Sequence, residues 1–386
     1  MNRETLQLLP AWIFLFILPF THTVALRLLG LFAATLFALF QFFRERRPLQ
    51  VPAWPWILFW AVLPLVLVRF SIDPAYSLGE VKTEVVYGMM AFFVFHVGIR
   101  SERTLRSAVL VLIAAFTVMT VSAIVARFYL GHWEDESFFG GTGTFSVYLV
   151  TVLPLLVLVW QRRYLGRATR AAVILLAALG LASGFLSEQR GLWPALLAGS
   201  LCLLVLLRMH GLWTPRRAVF LGAIALTIGI ALLAMLQVAE LRFGTGAGAQ
   251  LRADPRIQNW MRVIAWMLDR PLTGFGFGRG TMTRAFPEMW GRGDMFWHPH
   301  NLVLAYGFEL GLGGVLAIVG LFAALLVHWW KLARSADPLL QAADMAGVVL
   351  VVAVFTRNLT NDFFQRDLAL LFWAMTGMLS GATSRA

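Results

Sequence analysis

The chain is a succession of long apolar runs separated by short polar or basic stretches. A helix that crosses the hydrocarbon core needs about 20 mostly apolar residues, and most of these runs approach that length. Because backbone groups in lipid must bond within their own segment, the pattern predicts transmembrane α-helices. The predicted spans lie near residues 8–24, 25–43, 55–70, 83–99, 107–128, 144–160, 171–188, 191–207, 218–238, 313–330, 342–358 and 367–383.

We therefore expect an all-α, polytopic integral membrane protein of about 12 transmembrane helices, forming one membrane domain over residues 1–386. Composition agrees, since 59% of residues are hydrophobic and only 13% are charged. The net charge of +12 arises from short clusters between apolar runs, which argues against nucleic acid as a partner and for membrane lipids. Cys202 is the only cysteine, so disulfides and thiol-ligated metal clusters are excluded within one chain.

Basic residues alternate between loops, which predicts the topology. The positive-inside rule places the basic loops in the cytoplasm, and with them both termini. The first apolar run lacks a cleavage site and is expected to be a retained helix. The basic loops contain Arg44, Arg46 and Arg47; Arg100, Arg103 and Arg106; Arg162, Arg163, Arg167 and Arg170; Arg208, Arg216 and Arg217; and Lys331 and Arg334.

The one long segment that does not span, residues 239–300, falls on the outer side and is rich in Gly, Arg, Trp and Pro. Trp260, Trp266, Trp290 and Trp297 suit helices lying along the membrane interface, where an indole keeps its N–H wet. We expect this loop to form part of an active site, although a purely structural cap has the same composition.

Several outer-side arginines are candidates for binding phosphate. Arg190 lies in a short turn after Ser187, and Arg256 begins a predicted helix that continues through Arg262 and Arg270. A guanidinium presents a planar fork of donors that suits the oxygens of a departing pyrophosphate. Arg262, Arg279 and Arg252 are weaker candidates of the same kind. The alternative is pairing with nearby acids, namely Glu188, Asp254 and Asp269.

The glycine-rich turn at residues 271–278 resembles a nucleotide loop only superficially, because no alternating β/α pattern surrounds it. We interpret it as a tight bend, with approach of its backbone N–H groups to a substrate as the alternative.

Two histidines, His298 and His300, flank Pro299 immediately before an apolar helix. At the outer membrane face either one can take a proton from an attacking sugar hydroxyl, which would make it a general base. A structural role is the alternative. A metal site with Asp294 lacks a convincingly spaced third ligand, so we expect no metal.

His300-Asn301, nine further residues and then Gly311-Leu312-Gly313-Gly314 resemble the histidine signature of the bacterial O-antigen ligase family. Residues 256–260, the Pro271-to-Gly278 turn and Ser187-x-x-Arg190-Gly191 strengthen the likeness, which spans about residues 143–377. At residues 187–190 the chain departs from the family's Ser-Arg-Gly, because two residues separate the serine from the arginine.

The resemblance implies a glycosyltransferase C-like membrane fold and a periplasmic active site in the bacterial inner membrane. It implies inverting, metal-independent transfer of O-antigen polysaccharide from undecaprenyl pyrophosphate to lipid A-core, with no cofactor. His300 matches the family's catalytic histidine, and Arg190 and Arg256 match its pyrophosphate-binding arginines. His298 is a second candidate participant.

Three other functions stay open. An O-antigen polymerase often has an arginine followed eleven residues later by glycine in its periplasmic loops, and no arginine in residues 239–300 meets that spacing. A protein O-oligosaccharyltransferase uses similar machinery. A transporter of lipid-linked glycan would carry polar residues at mid-membrane, whereas here they gather at one face. Ion pairing is the default interpretation for Arg69, Lys82, Glu84, Arg357, Asp362, Arg366 and Asp367.

Overall fold

The computed structural model describes residues 8–46, 49–129, 140–155, 167–215, 255–289, 297–335, 337–361 and 366–384, with a few single residues between them. Every regular element in this part of the chain is helical. The α-helices are α1 (Leu9–Ile17), α2 (Val24–Glu45), α3 (Trp54–Leu67), α4 (Pro74–Gly98, with a π-helical turn at Val81–Val86), α5 (Glu102–Phe128), α6 (Gly141–Val152), α7 (Arg167–Leu186), α8 (Leu192–Met209), α9 (Pro255–Asp269), α10 (Thr281–Ala285), α11 (Leu302–Leu332), α12 (Pro338–Asn358) and α13 (Arg366–Thr383).

Six of these helices, α2, α4, α5, α8, α11 and the greater part of α12, are long and apolar enough to cross a membrane. Two shorter apolar helices, Trp54–Phe70 and Ala171–Leu186, accompany them. The protein is thus a multi-pass membrane protein, but the predicted count of 12 spans is not confirmed. The predicted span at 8–24 contains the nine-residue α1, which is too short to cross, and most of 218–238 lies outside the described residues.

Helices α4 and α13 pack against each other at the centre of the bundle. Gly377 and Gly381 lie one turn apart on α13, directly against the backbone carbonyls of Phe92 and His96 on α4. Small residues let helix backbones approach this closely, which is how membrane helices gain packing where lipid supplies no hydrophobic drive. The His96 ring nitrogen Nδ1 also lies 3.0 Å from the Ser380 hydroxyl. As a result, α13 is buried along nearly its whole length.

Helix α2 lies at the outside of the bundle. Its Leu29, Leu36, Phe40 and Phe43 side chains are each at least 64% exposed. A contiguous apolar surface of this kind is unfavourable in water and favourable against acyl chains. The exposed face of α2 is therefore a lipid-facing surface.

The two ends of the bundle differ in chemistry. Glu45 at the end of α2 pairs with Arg100, which follows α4, and the same end of the bundle receives Arg208 and Lys331 at the last turns of α8 and α11. At the opposite end, α11 and α13 begin and α12 ends. Arg27 near the start of α2 pairs there with Asp367 of α13. The described basic loops thus lie at the end opposite the start of α11.

Helix α11 is broken near its start, at Gly311, where φ is 66° and ψ is −157°. The Leu312 N–H donates to the Pro271 carbonyl at 2.7 Å instead of continuing the helix. The N–H groups of Phe275 and Gly276 donate in turn to the carbonyls of Phe308 and Glu309, at 3.0 and 2.9 Å. The glycine-rich turn at residues 271–278 therefore completes the hydrogen bonding that the kink in α11 interrupts.

Gly274→Ala is expected to lower the free energy of unfolding by about 2 kcal/mol or more. Gly274 has a φ of 61°, and an added Cβ would meet the backbone of Glu309. The unfolding midpoint in detergent measures the change. The matched control is Gly79→Ala, a helical position with no atom within 4 Å of an added Cβ, which we expect to shift stability by less than about 1 kcal/mol. Equal losses in both variants would contradict this role of the turn.

Candidate active site

The first turn of α11 fixes the position of His300. Asn301 is the N-cap residue, and its Oδ1 accepts hydrogen bonds from the N–H groups of Val303 and Leu304 at 2.9 and 3.1 Å. Its Nδ2 donates to the carbonyl of Leu359, just beyond α12, at 2.8 Å. His300 itself has a φ of 54°, in the left-handed region that non-glycine residues seldom adopt. The His-Asn pair thus joins a strained backbone to a helix cap, which holds the imidazole at the end of the bundle.

Helix α9 lies against the segment that carries both histidines. The Asn259 side chain donates to the carbonyl of His298 at 3.0 Å, and the Trp260 indole donates to the carbonyl of Pro299 at 2.9 Å. Trp260 was predicted to direct its N–H to interfacial water, but the structure gives it a backbone partner. Arg256 is one helical turn before Trp260, so α9 presents it on the face that packs against this segment.

The opposite face of α9 carries exposed apolar side chains, including Met261 and Leu268, which are 65% and 74% exposed. This arrangement is typical of a helix that lies in the membrane interface, as predicted for this part of the chain. Arg262 is exposed and lies about 120° around the helix from Arg256, given 3.6 residues per turn. Arg262 therefore does not share the face that presents Arg256.

The turn between α7 and α8 carries Arg190, and Gln189 anchors it. Gln189 donates through Nε2 to Thr142 at 3.2 Å and accepts through Oε1 from Arg357 at 3.2 Å. Arg357 also donates to the Ser146 hydroxyl at 2.8 Å. Arg190 itself is exposed. Gln189 is one of the two residues that separate Ser187 from Arg190, and it thus binds this turn to α6 and α12. The Arg190 side chain is left exposed.

The end of α12 connects two of these segments. Gly191 lies so close to Thr360 and Arg357 that an added Cβ would collide with the Thr360 hydroxyl. Leu359, in the same stretch, accepts the hydrogen bond from Asn301. Helix α9, which carries Arg256, is joined to the histidine segment through Asn259 and Trp260, whose side chains donate to the carbonyls of His298 and Pro299. Arg190 and His300 therefore belong to segments that meet around residues 357–360, and Arg256 lies on a helix that is hydrogen-bonded to the His300 segment.

Arg279 lies beside His298 on another side of the site. Its Nη2 is 2.7 Å from Nε2 of His298, and its guanidinium carbon lies 4.0 Å from the centre of the Trp297 ring. Arg279 also borders a small pocket lined by Glu80, Glu84 and Glu309 among others. A pocket rich in carboxyl groups therefore adjoins the arginines and histidines of the site.

The residues expected to form ion pairs have partners of different kinds. Asp367 pairs with Arg27, as expected. Glu84 instead accepts the backbone N–H of Arg366 through both carboxylate oxygens, at 2.9 and 2.7 Å. Arg69 lies over the Phe70 ring, 4.6 Å from its centre. Asp362 is outside the described residues.

Approach of the N–H groups of the glycine-rich turn to a substrate was the alternative to a tight bend, but those at 275, 276 and 278 are engaged by α11. The N–H of Gly278 donates to Oε2 of Glu309 at 3.1 Å, and the other two donate to backbone carbonyls. Arg252, Asp254 and Asp294 fall outside the described residues. Among those described, no three His, Cys, Asp or Glu side chains form a group able to hold a metal ion.

Sequence patterns did not identify three residues that organise the site: Gln189, Asn259 and Thr360. Each is a polar residue beside a candidate, but its role depends on a partner distant along the chain. The one indication in the sequence was that each of them lies within three residues of an arginine near a helix end.

Comparison with known protein families finds one match. A family model described as O-antigen ligase matches residues 175–319. The match begins within α7 and ends within α11, so it encloses the turn of Arg190, helix α9, both histidines and Gly311. No curated protein sequence matches the chain significantly. The predicted resemblance to the O-antigen ligase family is thus confirmed over residues 175–319.

Proposed function

We propose that the protein is an O-antigen ligase of the bacterial inner membrane. It transfers O-antigen polysaccharide from undecaprenyl pyrophosphate to lipid A-core at the periplasmic face, with inversion and without a metal. The observation that carries this proposal is that the Arg190 turn and the His300 segment meet around residues 357–360, while the Arg256 helix is hydrogen-bonded to the His300 segment. All three segments lie within the matched family domain.

The distribution of charge supports a periplasmic site. The described basic loops lie at one end of the bundle, and the candidate residues lie at the other. Because positive loops remain in the cytoplasm, the candidate site faces the opposite compartment, with both termini cytoplasmic. Donor and acceptor both have lipid tails, so a site at the membrane interface admits their head groups while the tails stay in the bilayer.

The reaction requires one base and a set of cations. His300 takes the proton of the acceptor hydroxyl as its oxygen attacks the anomeric carbon of the donor sugar. The bond from that carbon to the pyrophosphate oxygen breaks, and its electron pair leaves with undecaprenyl pyrophosphate. Arg190 and Arg256 neutralise the negative charge that grows on the diphosphate. Attack opposite the leaving group inverts the anomeric carbon, and no nucleotide is needed because the donor already holds the activated bond.

His300→Ala is expected to reduce transfer by at least about 100-fold, because it removes the imidazole that takes the hydroxyl proton. The assay combines purified protein, polyprenyl-pyrophosphate-linked glycan and lipid A-core, without nucleotide and with EDTA present. Formation of capped lipopolysaccharide is followed on gels.

His210→Ala is the matched control, because His210 lies just beyond α8 at the basic end of the bundle, and full activity is expected. Full turnover by a folded His300→Ala variant would contradict the assignment of the base. Loss of wild-type activity in EDTA would contradict metal-independent transfer. Glycan lengthened on the polyprenyl carrier, with none moved to lipid A-core, would indicate a polymerase.

Arg190→Gln and Arg256→Gln are each expected to weaken binding of undecaprenyl pyrophosphate by about 10-fold or more, since each removes a charge-assisted hydrogen bond. Titration of the protein in nanodiscs measures the Kd. Arg103→Gln is the control, because Arg103 is exposed in the first turn of α5. An unchanged Kd in both site variants would contradict their role in binding pyrophosphate.

A further inference from the structure

The His298 ring lies between two hydrogen-bond donors. Its Nε2 is 2.7 Å from Nη2 of Arg279, and its Nδ1 is 3.2 Å from the backbone N–H of His300. A guanidinium only donates, and so does a backbone N–H. The side chain is almost completely buried, with 1% of its surface exposed.

This geometry restricts the protonation of His298. A neutral imidazole has one N–H and one lone pair, whereas an imidazolium has an N–H on both nitrogens. A neutral ring can accept from only one of these two donors. Because 2.7 Å is a bonding distance for a charged donor, Nε2 holds the lone pair and accepts from Arg279, and the ring proton is on Nδ1, so that the longer 3.2 Å approach of the His300 N–H is a contact and not a hydrogen bond. Protonating Nε2 would place an N–H against a guanidinium N–H, with two positive charges in contact.

Arg279 is well suited to remain a fixed cation. A guanidinium keeps its proton under all ordinary conditions. The face of the Trp297 ring lies 4.0 Å from its central carbon, which is a favourable cation–π distance. Glu80, Glu84 and Glu309 line the pocket that Arg279 borders. The described surroundings of Arg279 are thus the His298 ring, the Trp297 ring and this pocket.

The two imidazoles are in direct contact. Their ring centres are 3.6 Å apart, with an angle of 39° between the planes. The carbonyl of His298 is held by Asn259, so the His298 ring is fixed at both its backbone and its Nε2. A neutral ring beside His300 provides a polarisable surface for the imidazolium that forms there, whereas a second imidazolium would repel it.

We propose that His298 and Arg279 are positioning residues. Arg279 donates a hydrogen bond that keeps Nε2 of His298 unprotonated. The His298 ring in turn holds His300 in place to receive the proton of the attacking sugar hydroxyl. This inference rests on the proposed function. Among the described residues, the groups in contact with His298 include the Arg279 guanidinium, the His300 ring and N–H, the Trp297 ring, and the Asn259 side chain of α9, which bonds its carbonyl. His300 is then the general base, and Arg279 does not bind pyrophosphate.

Steady-state kinetics in the transfer assay separate positioning from binding. Arg279→Gln is expected to lower kcat about tenfold or more, as a misplaced base would, and to leave the KM for polyprenyl-pyrophosphate-linked glycan within about twofold. Arg279→Lys keeps one charged donor and should recover part of kcat. Arg103→Gln again serves as the control with unchanged constants. A raised donor KM with unchanged kcat in Arg279→Gln would overturn the proposal, because it would identify a pyrophosphate ligand.

The histidines themselves provide a matched pair. His298→Asn is expected to retain measurable transfer, while His300→Asn retains none above the uncatalysed level. Inactive His298→Asn beside active His300→Asn would reverse the two roles and overturn the proposal.

A readout independent of activity distinguishes this inference from the proposed function. In protein labelled with ¹⁵N-histidine, NMR of the wild type should show one imidazole, absent in His298→Asn, that stays neutral at a pH where ordinary histidines are protonated. In Arg279→Gln the same signal should titrate. If the His298 signal titrates normally in the wild type, the inference fails whatever the enzyme transfers. If it stays neutral but no transfer occurs, the arrangement stands and the proposed function fails.

Discussion

The backbone of α11 leaves helical geometry at Gly311, and the carbonyl groups released there accept hydrogen bonds from the glycine-rich turn at residues 271–278. Unpaired backbone groups at this depth would each cost several kcal/mol in lipid, so neither the kink nor the turn is stable without the other. Their pairing sets the direction of the first turns of α11. Because Asn301 caps that helix, the same pairing sets where His300 lies.

Charged side chains in a mostly apolar protein must also be compensated. Near the candidate site, neutral side chains and backbone groups compensate charged side chains, as ion pairs do elsewhere. Arg357 donates to Ser146 and Gln189, and Glu84 accepts the N–H of Arg366. Each such bond ties together helices that are far apart in sequence. The polar network that makes buried charge tolerable therefore also assembles the site from α6, the α7–α8 turn, α12 and α13.

The sequence predicted the features that depend on local pattern and overall charge. Apolar run length indicated a membrane protein, basic loops separated the two ends, and the stretch after Pro255 was predicted as a helix. Roles that depend on distant partners were not predictable. Nothing local indicates that Gln189 binds Thr142, or that Phe275 and Gly276 complete the hydrogen bonds of α11. The predicted first span was too long because hydropathy does not detect the turn after Ile17, and the predicted interfacial role of Trp260 gave no hint of its backbone partner.

The central claim is that one diphosphate site lies between Arg190 and Arg256, with His300 at its edge. A cryo-electron microscopy structure of the protein in nanodiscs with undecaprenyl pyrophosphate tests it most directly. We expect diphosphate density within hydrogen-bonding distance of the Arg190 and Arg256 guanidinium groups. The leaving oxygen should face the His300 side of the site. Diphosphate bound among other residues, or at the end of the bundle that carries Arg100 and Arg208, would contradict it.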